Sequence, residues 1–236
     1  MAVGVNGRVG VLNVGAAAPA TLPAYLTSIG KASWYGGFRA PDQLFSDIAN
    51  TVPVTTDGAS WRNWLPNWTA GGFAESFGQS TSFRRLALGT SRNGKPGVYG
   101  DGVDWYATLS SSTVLNRQYT VLLSSWTTAT GNMALYSHNV HSMAFRSNGS
   151  ANEPLVYANG ALGITVEKVI ESTPVDASTC AHRVGWSTSG TIHYNAAPSL
   201  LRRSDNTMFS NSTVHEIWFT ERLTAKEISA ALKYLL

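Results

Sequence analysis

Past residue 75 the chain reads as short apolar runs set between glycines, asparagines and serines, a pattern of many strands and tight turns. Tyr119–Trp126 is β-branched and apolar enough for a buried strand. Lys95–Leu109 reads as strand, turn, strand around Asp101-Gly102, and Met133–Tyr136, His141–Phe145 and Leu155–Tyr157 are further short strands. Asn159-Gly160 separates two apolar runs and predicts a hairpin with a type I′ turn. A second hairpin is predicted from Val184-Gly-Trp to Thr191–Tyr194.

Two regions depart from this pattern. Residues 34–75 are irregular, and Leu44-Phe45 and Ile48 read as local helical turns rather than strands. Trp61, Trp64 and Trp68 follow at spacings of three and four, which would stack them on one helical face, but Pro66 interrupts any helix there. The last 23 residues, VHEIWFTERLTAKEISAALKYLL, combine both periods. Val214–Phe219 alternates as a strand, with Val214, Glu216 and Trp218 on one face and His215, Ile217 and Phe219 on the other. Thr224 then caps a short helix, Glu227 completes a capping box, and Leu223 is placed to staple against Ile228. Ile228, Ala231, Leu232 and Leu235 form one apolar stripe, so the helix must dock on a sheet.

Composition narrows the picture. The 236 residues fit one large domain with 43% hydrophobic and 11% aromatic residues, but only 13% are charged. A surface so poor in charge is expected to make wide subunit contacts, as in a homo-oligomer. The net charge of +3 is spread without a basic cluster beyond Arg84-Arg85 and Arg202-Arg203, so no nucleic-acid partner is expected. No stretch is long and apolar enough for a membrane helix. A single cysteine, Cys180, excludes an internal disulfide and reads as a small buried hydrophobe. Residues 1–30, rich in Gly, Ala and Val, read as an extended N-terminal arm of the mature chain, and residues 31–236 as the domain.

Two motifs carry a resemblance. The terminal strand, the turn into Arg222-Leu223, the capping box and the closing Tyr234-Leu235 resemble the C-terminal signature of laminin-G-like domains, a group within the concanavalin A-like jelly rolls. Asn93–Tyr106, NGKPGVYGDGVDWY, is similar to that family's strand-turn-strand, with Asp101-Gly102 in the tight turn. The lead-in over residues 39–68 is similar too, down to a Trp-x-Asn-Trp near its end, and the resemblance spans roughly residues 34–236. It implies an all-β, two-sheet antiparallel jelly-roll sandwich, with the N-terminal arm before it and the short helix closing it. Laminin-G-like modules occur in adhesion proteins, as glycan-binding units of secreted hydrolases, and in the virions of tailed phages, so fold alone does not choose among these.

The candidate chemistry is sparse. Glycosidases on the same jelly roll carry paired strand acids as Glu-x-Asp-x-x-Glu, and this chain has no such pattern; two carboxyls at about 5–9 Å would be needed. Glu216 stands alone among apolar neighbours and reads as a structural group. His138 and His141 are spaced for a metal only on a helix, which this segment is not, and read as surface or interface histidines. Calcium sits at the rim of some members of the family, which makes Asp101 and Asp104 candidate ligands, although Asp101 is explained by its turn. Trp61, Trp64 and Trp68 are the candidate glycan platform, since flat aromatic faces stack on sugars. Together these features lead us to expect a non-enzymatic virion protein of a tailed phage, as a head-decoration, fibre or tail-attached module. It would bind other virion proteins through its arm and touch host surface glycan. A secreted or cell-surface carbohydrate-binding module is the alternative, and the sequons at Asn67, Asn148 and Asn211 are its weak support.

Overall fold

The computed structural model describes residues 19–90, 94–111, 117–127, 132–137, 144–148, 154–157, 166–174, 180–188, 197–202 and 210–236. In chain order these hold α1 (Leu22–Ser28), β1 (Tyr35–Arg39), β2 (Leu44–Phe45), β3 (Asn63–Trp64), β4 (Trp68–Ala70) and β5 (Phe77–Gly78). Next come β6 (Ala87–Thr90), β7 (Pro96–Tyr99), β8 (Ala107–Leu109), β9 (Tyr119–Thr127), β10 (Asn132–Ser137) and β11 (Ala144–Asn148). The chain continues through β12 (Pro154–Tyr157), β13 (Val166–Pro174), β14 (Cys180–Thr188), β15 (Ser199–Leu200), β16 (Ser212–Glu221) and α2 (Ala225–Leu232).

The strands form two antiparallel sheets packed as a sandwich. The first sheet runs β13-β14-β9-β16-β1-β4, with β7 also paired to β16 and β6 to β7. The second runs β12-β11-β10-β15-β8-β5-β3-β2. Alternation along each strand sends one set of side chains inward. Phe38, Leu123 and Phe219 from the first sheet meet Trp64, Phe77 and Tyr136 from the second in one buried cluster. Phe38 contacts Trp64, Phe73, Phe77 and Phe219, with ring centroids 5.1–6.3 Å apart.

β9 and β16 are buried on both faces because α1 and α2 cover the outside of the first sheet. Leu22 and Leu26 of α1, Leu122, Trp218, and Ile228 and Leu232 of α2 make this second core. Gly185 lets α2 come this close, since a Cβ there would lie 2.3 Å from Ile228 Cγ2. The capping box is formed as predicted: Thr224 Oγ1 accepts from Glu227 N, and Glu227 Oε2 accepts from Thr224 N at 2.7 Å. Glu167 of β13 adds a third anchor, accepting from Ala225 N at 2.8 Å and pairing with Arg222 at 2.9 Å. A carboxylate at this end also suits the helix dipole.

Several expectations change. Leu44-Phe45 is a strand paired to β3, not a helical turn, because Leu44 inserts into the sandwich core. The stretch assigned to the arm includes α1, an ordered helix capped by Thr21 and docked on α2 through Tyr25, whose ring stacks on Tyr234 at 5.4 Å. The strict alternation expected along Val214–Phe219 is broken by a bulge between Val214 and Glu216. Val214 therefore joins Ile217 and Phe219 in the inner core, while Trp218 lies in the outer one. The turn at Asn159-Gly160 and the predicted strand at Thr191–Tyr194 lie outside the described residues. The strands flanking the first, β12 and β13, belong to different sheets.

Candidate functional site

The three tryptophans proposed as a glycan platform do not share a surface. Trp64 lies in the second sheet and Trp68 in the first. Trp61 and Trp64 are fully buried, 6.1 Å apart, so neither face can meet a sugar. Trp68 is half-buried and stacks flat on Trp218 at 5.1 Å, with the Arg39 guanidinium 4.9 Å from its ring centroid. One face is used by Trp218 and Arg39 stands over the ring. Burial in a β core, rather than helical stacking, accounts for this spacing.

Glu216 is sealed in the same layer. Its Oε1 accepts from Arg39 Nη2 at 2.8 Å and from Trp218 Nε1 at 2.5 Å, and its Oε2 accepts from Leu236 N at 3.0 Å. All three donors are structural, and the carboxylate has no exposed surface. Asp101 is likewise occupied: Oδ1 accepts the backbone N–H groups of Val103, Asp104 and Trp105 at 2.9–3.1 Å. Burial works to raise its pKa, but these bonds outweigh it and hold the carboxyl below its ordinary value. Asp104 faces Arg84 at 3.9 Å. Among the described residues no group of three His, Cys, Asp or Glu side chains is placed to hold a metal ion. His138 and His141 lie outside the described residues.

Two concavities, one on each outer face, bring polar groups from several strands together. The first, about 240 Å³, lies beside the end of α2 and is lined by Lys95, Ser124, Glu171, Arg183, His215 and Leu236 among others. Ser124 and Arg183 both donate to the Leu236 carbonyl oxygen, at 2.5 and 3.4 Å, so chain atoms already use these donors. His215 is buried with Nδ1 2.8 Å from the Pro96 carbonyl, which makes that nitrogen the N–H donor. Burial pushes its pKa down to about 4, the bond to Pro96 opposing and Lys95 adding to the fall.

The second concavity is an open groove of about 240 Å³ across the second sheet. Its floor follows from strand register. Phe45, Asn63, Gly78, Thr108, Ser199 and Ser137 are successive cross-strand partners over six strands. Their neighbours Leu44, Trp64, Phe77, Leu109 and Leu200 face the core, so the row lies on the opposite face, where Asn63, Gly78 and Thr108 line the groove and Ser199 and Ser137 are buried. Its middle members are small or polar, which leaves a trough. Arg62, Gln79, Ser80 and Ser110 line its sides, and Ile48, 71% exposed, stands at the rim.

Arg62 lines this groove, and Arg85 is held beside it. Gln79 N donates to the Arg62 carbonyl, and Arg85 Nε donates to the Gln79 carbonyl at 3.2 Å, so one residue ties the Arg62 backbone to the Arg85 side chain. Arg85 is shifted down first by burial and then by the charge of Arg62. Arg202 closes the row by donating to Ser199 Oγ at 3.0 Å and stacking over Tyr106 at 3.5 Å. Burial and the charge of Arg84 both lower its pKa, against the pull of Tyr106. Sequence reading missed this site because the contributing strands are two or three residues long. Arg62-Asn-Trp, Phe77-Gly-Gln and Ala107-Thr-Leu each set a polar or small residue beside core ones, but nothing in the sequence says that they are neighbours.

No protein-family model matches the chain, and no curated protein does. Among solved structures it is similar to Trypanosoma rangeli sialidase in complex with the inhibitor DANA, at 13% identity and a TM-score of 0.42. The match covers 83% of this chain and 36% of that one. A likeness this distant does not extend to a site or a reaction.

Proposed function

We propose that the chain is a non-enzymatic structural protein of a phage virion, in which the sandwich makes subunit contacts and the residues before α1 attach it to neighbouring virion proteins. The observation that carries the non-enzymatic part is the state of Glu216: Arg39, Trp218 and Leu236 consume its acceptor capacity, and it fastens the chain's closing segment to the sheet. The laminin-G-like motifs at residues 93–106 and 214–236 are compatible with the virion part without selecting it, and the sparse charge supports broad subunit contacts. Particles purified from the host should contain the chain by mass spectrometry, and recombinant chain should sediment with particles that lack it. Absence from particles, with no co-sedimentation, would sink the proposal. A glycan-binding module is the second reading, favoured by the groove on the second sheet.

A further inference from the structure

We infer that the groove across the second sheet is a binding site for an acidic glycan, a chain of hydroxylated units carrying carboxylate or sulfate groups. The inference concerns the second reading and is independent of virion residence. It rests on three observations. First, the floor is a cross-strand row, so Asn63, Gly78 and Thr108 follow one another at the strand spacing of about 4.8 Å. A trough with a repeating floor suits an extended polymer better than a single small ion. Second, the polar groups that line the groove and are not buried are hydroxyls and an amide, from Ser80, Thr108, Ser110 and Asn63, the usual partners of sugar hydroxyls.

The third observation sets the ligand's charge. The Arg62 side chain has no hydrogen-bond acceptor and no carboxylate partner among the described residues, and Arg85 binds only the carbonyls of Gln79 and Ser80. Two like charges held beside one groove, neither paired with a carboxylate, repel each other, and an anion between them would relieve that repulsion. The nearby acid Glu75 accepts from Ser110 Oγ rather than from either arginine. Arg guanidinium is the side chain suited to bidentate capture of such groups. Aromatic stacking is not required, which fits the burial of Trp61 and Trp64 beneath the floor.

Calorimetry on the full chain tests this with three probes: hexagalacturonate, a sulfated dextran fragment of similar length, and neutral maltohexaose. Either acidic probe, or both, should bind, with affinity falling as salt rises, and maltohexaose should not. The two acidic arms decide between carboxylate and sulfate. R62E should weaken binding by about tenfold or more. S80E, on an exposed position, should do the same by placing a carboxylate beside Arg85 in cis. K226E, exposed on α2 across the sandwich, should bind like the parent. Equal melting temperatures for the variants separate lost binding from lost fold. The inference is overturned if neither acidic probe binds at low salt, if maltohexaose binds equally well, or if R62E and S80E bind like the parent. None of these outcomes bears on particle association.

Discussion

At Glu216 a carboxyl side chain with no exposed surface finds its hydrogen-bond partners in the protein rather than in water. Arg39, 30% exposed in its side chain, supplies the countercharge at 2.8 Å. Trp218 Nε1 and Leu236 N supply the remaining donors. Removing the carboxylate strands three donors at once, so Glu216→Ala should destabilise by about 3–5 kcal/mol, read from urea unfolding. Glu216→Gln keeps the shape and should lose about 1–3 kcal/mol. A Glu216→Ala loss below about 1 kcal/mol would show that the network is incidental. His215, one residue away on the bulge, gives a pH-dependent prediction of its own, with stability lost on acidification. Its folded pKa of about 4 lies below the ordinary 6.5, so the unfolded state takes up the proton first. The stability held by neutral His215 is therefore complete above pH 6.5 and is lost as pH falls toward 4. The gap corresponds to about 3 kcal/mol. His215→Asn, which can still donate to the Pro96 carbonyl, should remove most of that slope. Parallel pH profiles for parent and variant would refute the assignment.

At the scale of elements, the closing strand and helix show how far sequence reading reaches. Their capping box, staple and apolar stripe were legible because each is a local pattern within about a dozen residues, and all are present. The bulge at His215 was not legible, because alternation cannot reveal where a partner strand skips a residue. The same limit applies to β2, β3 and β5, which are two residues long and become strands only by pairing. The groove inherits that limit, being built from the registers of such strands. The tryptophan platform failed for a related reason: spacing showed that Trp61, Trp64 and Trp68 were neighbours in sequence, but not that consecutive short strands enter opposite sheets. The seat of α2 offers the test at this scale. Gly185 carries no side chain where Ile228 Cγ2 and Leu122 Cδ2 would lie 2.3 and 2.8 Å from a Cβ. Gly185→Ala should cost about 1–3 kcal/mol by overpacking. Adding Ile228→Ala to it should cost less than Ile228→Ala costs in the parent background. A double-mutant cycle with no coupling between the two positions would mean that α2 is not seated on Gly185.

At the scale of the molecule, the sandwich has two cores, and the outer one is shared by both ends of the described chain. α1, from the stretch read as an arm, and α2, from the closing segment, lie on the same sheet face and touch through Tyr25, Tyr234 and the Glu227 carbonyl. Leu22 and Leu26 are 3% and 0% exposed there, so α1 contributes about 3–6 kcal/mol of apolar burial. This divides the N-terminal stretch into two parts with different expected roles. Deleting residues 1–18 should leave the melting temperature unchanged and, on the virion reading, abolish sedimentation with particles. Deleting residues 1–30 should also uncover Leu122, Trp218 and Leu232 and lower the melting temperature by on the order of 10 °C. The shorter deletion is therefore the one that isolates attachment from folding. If it melts like the parent and still sediments with particles, attachment runs through the sandwich itself, and the outer sheet faces become the surfaces to mutate.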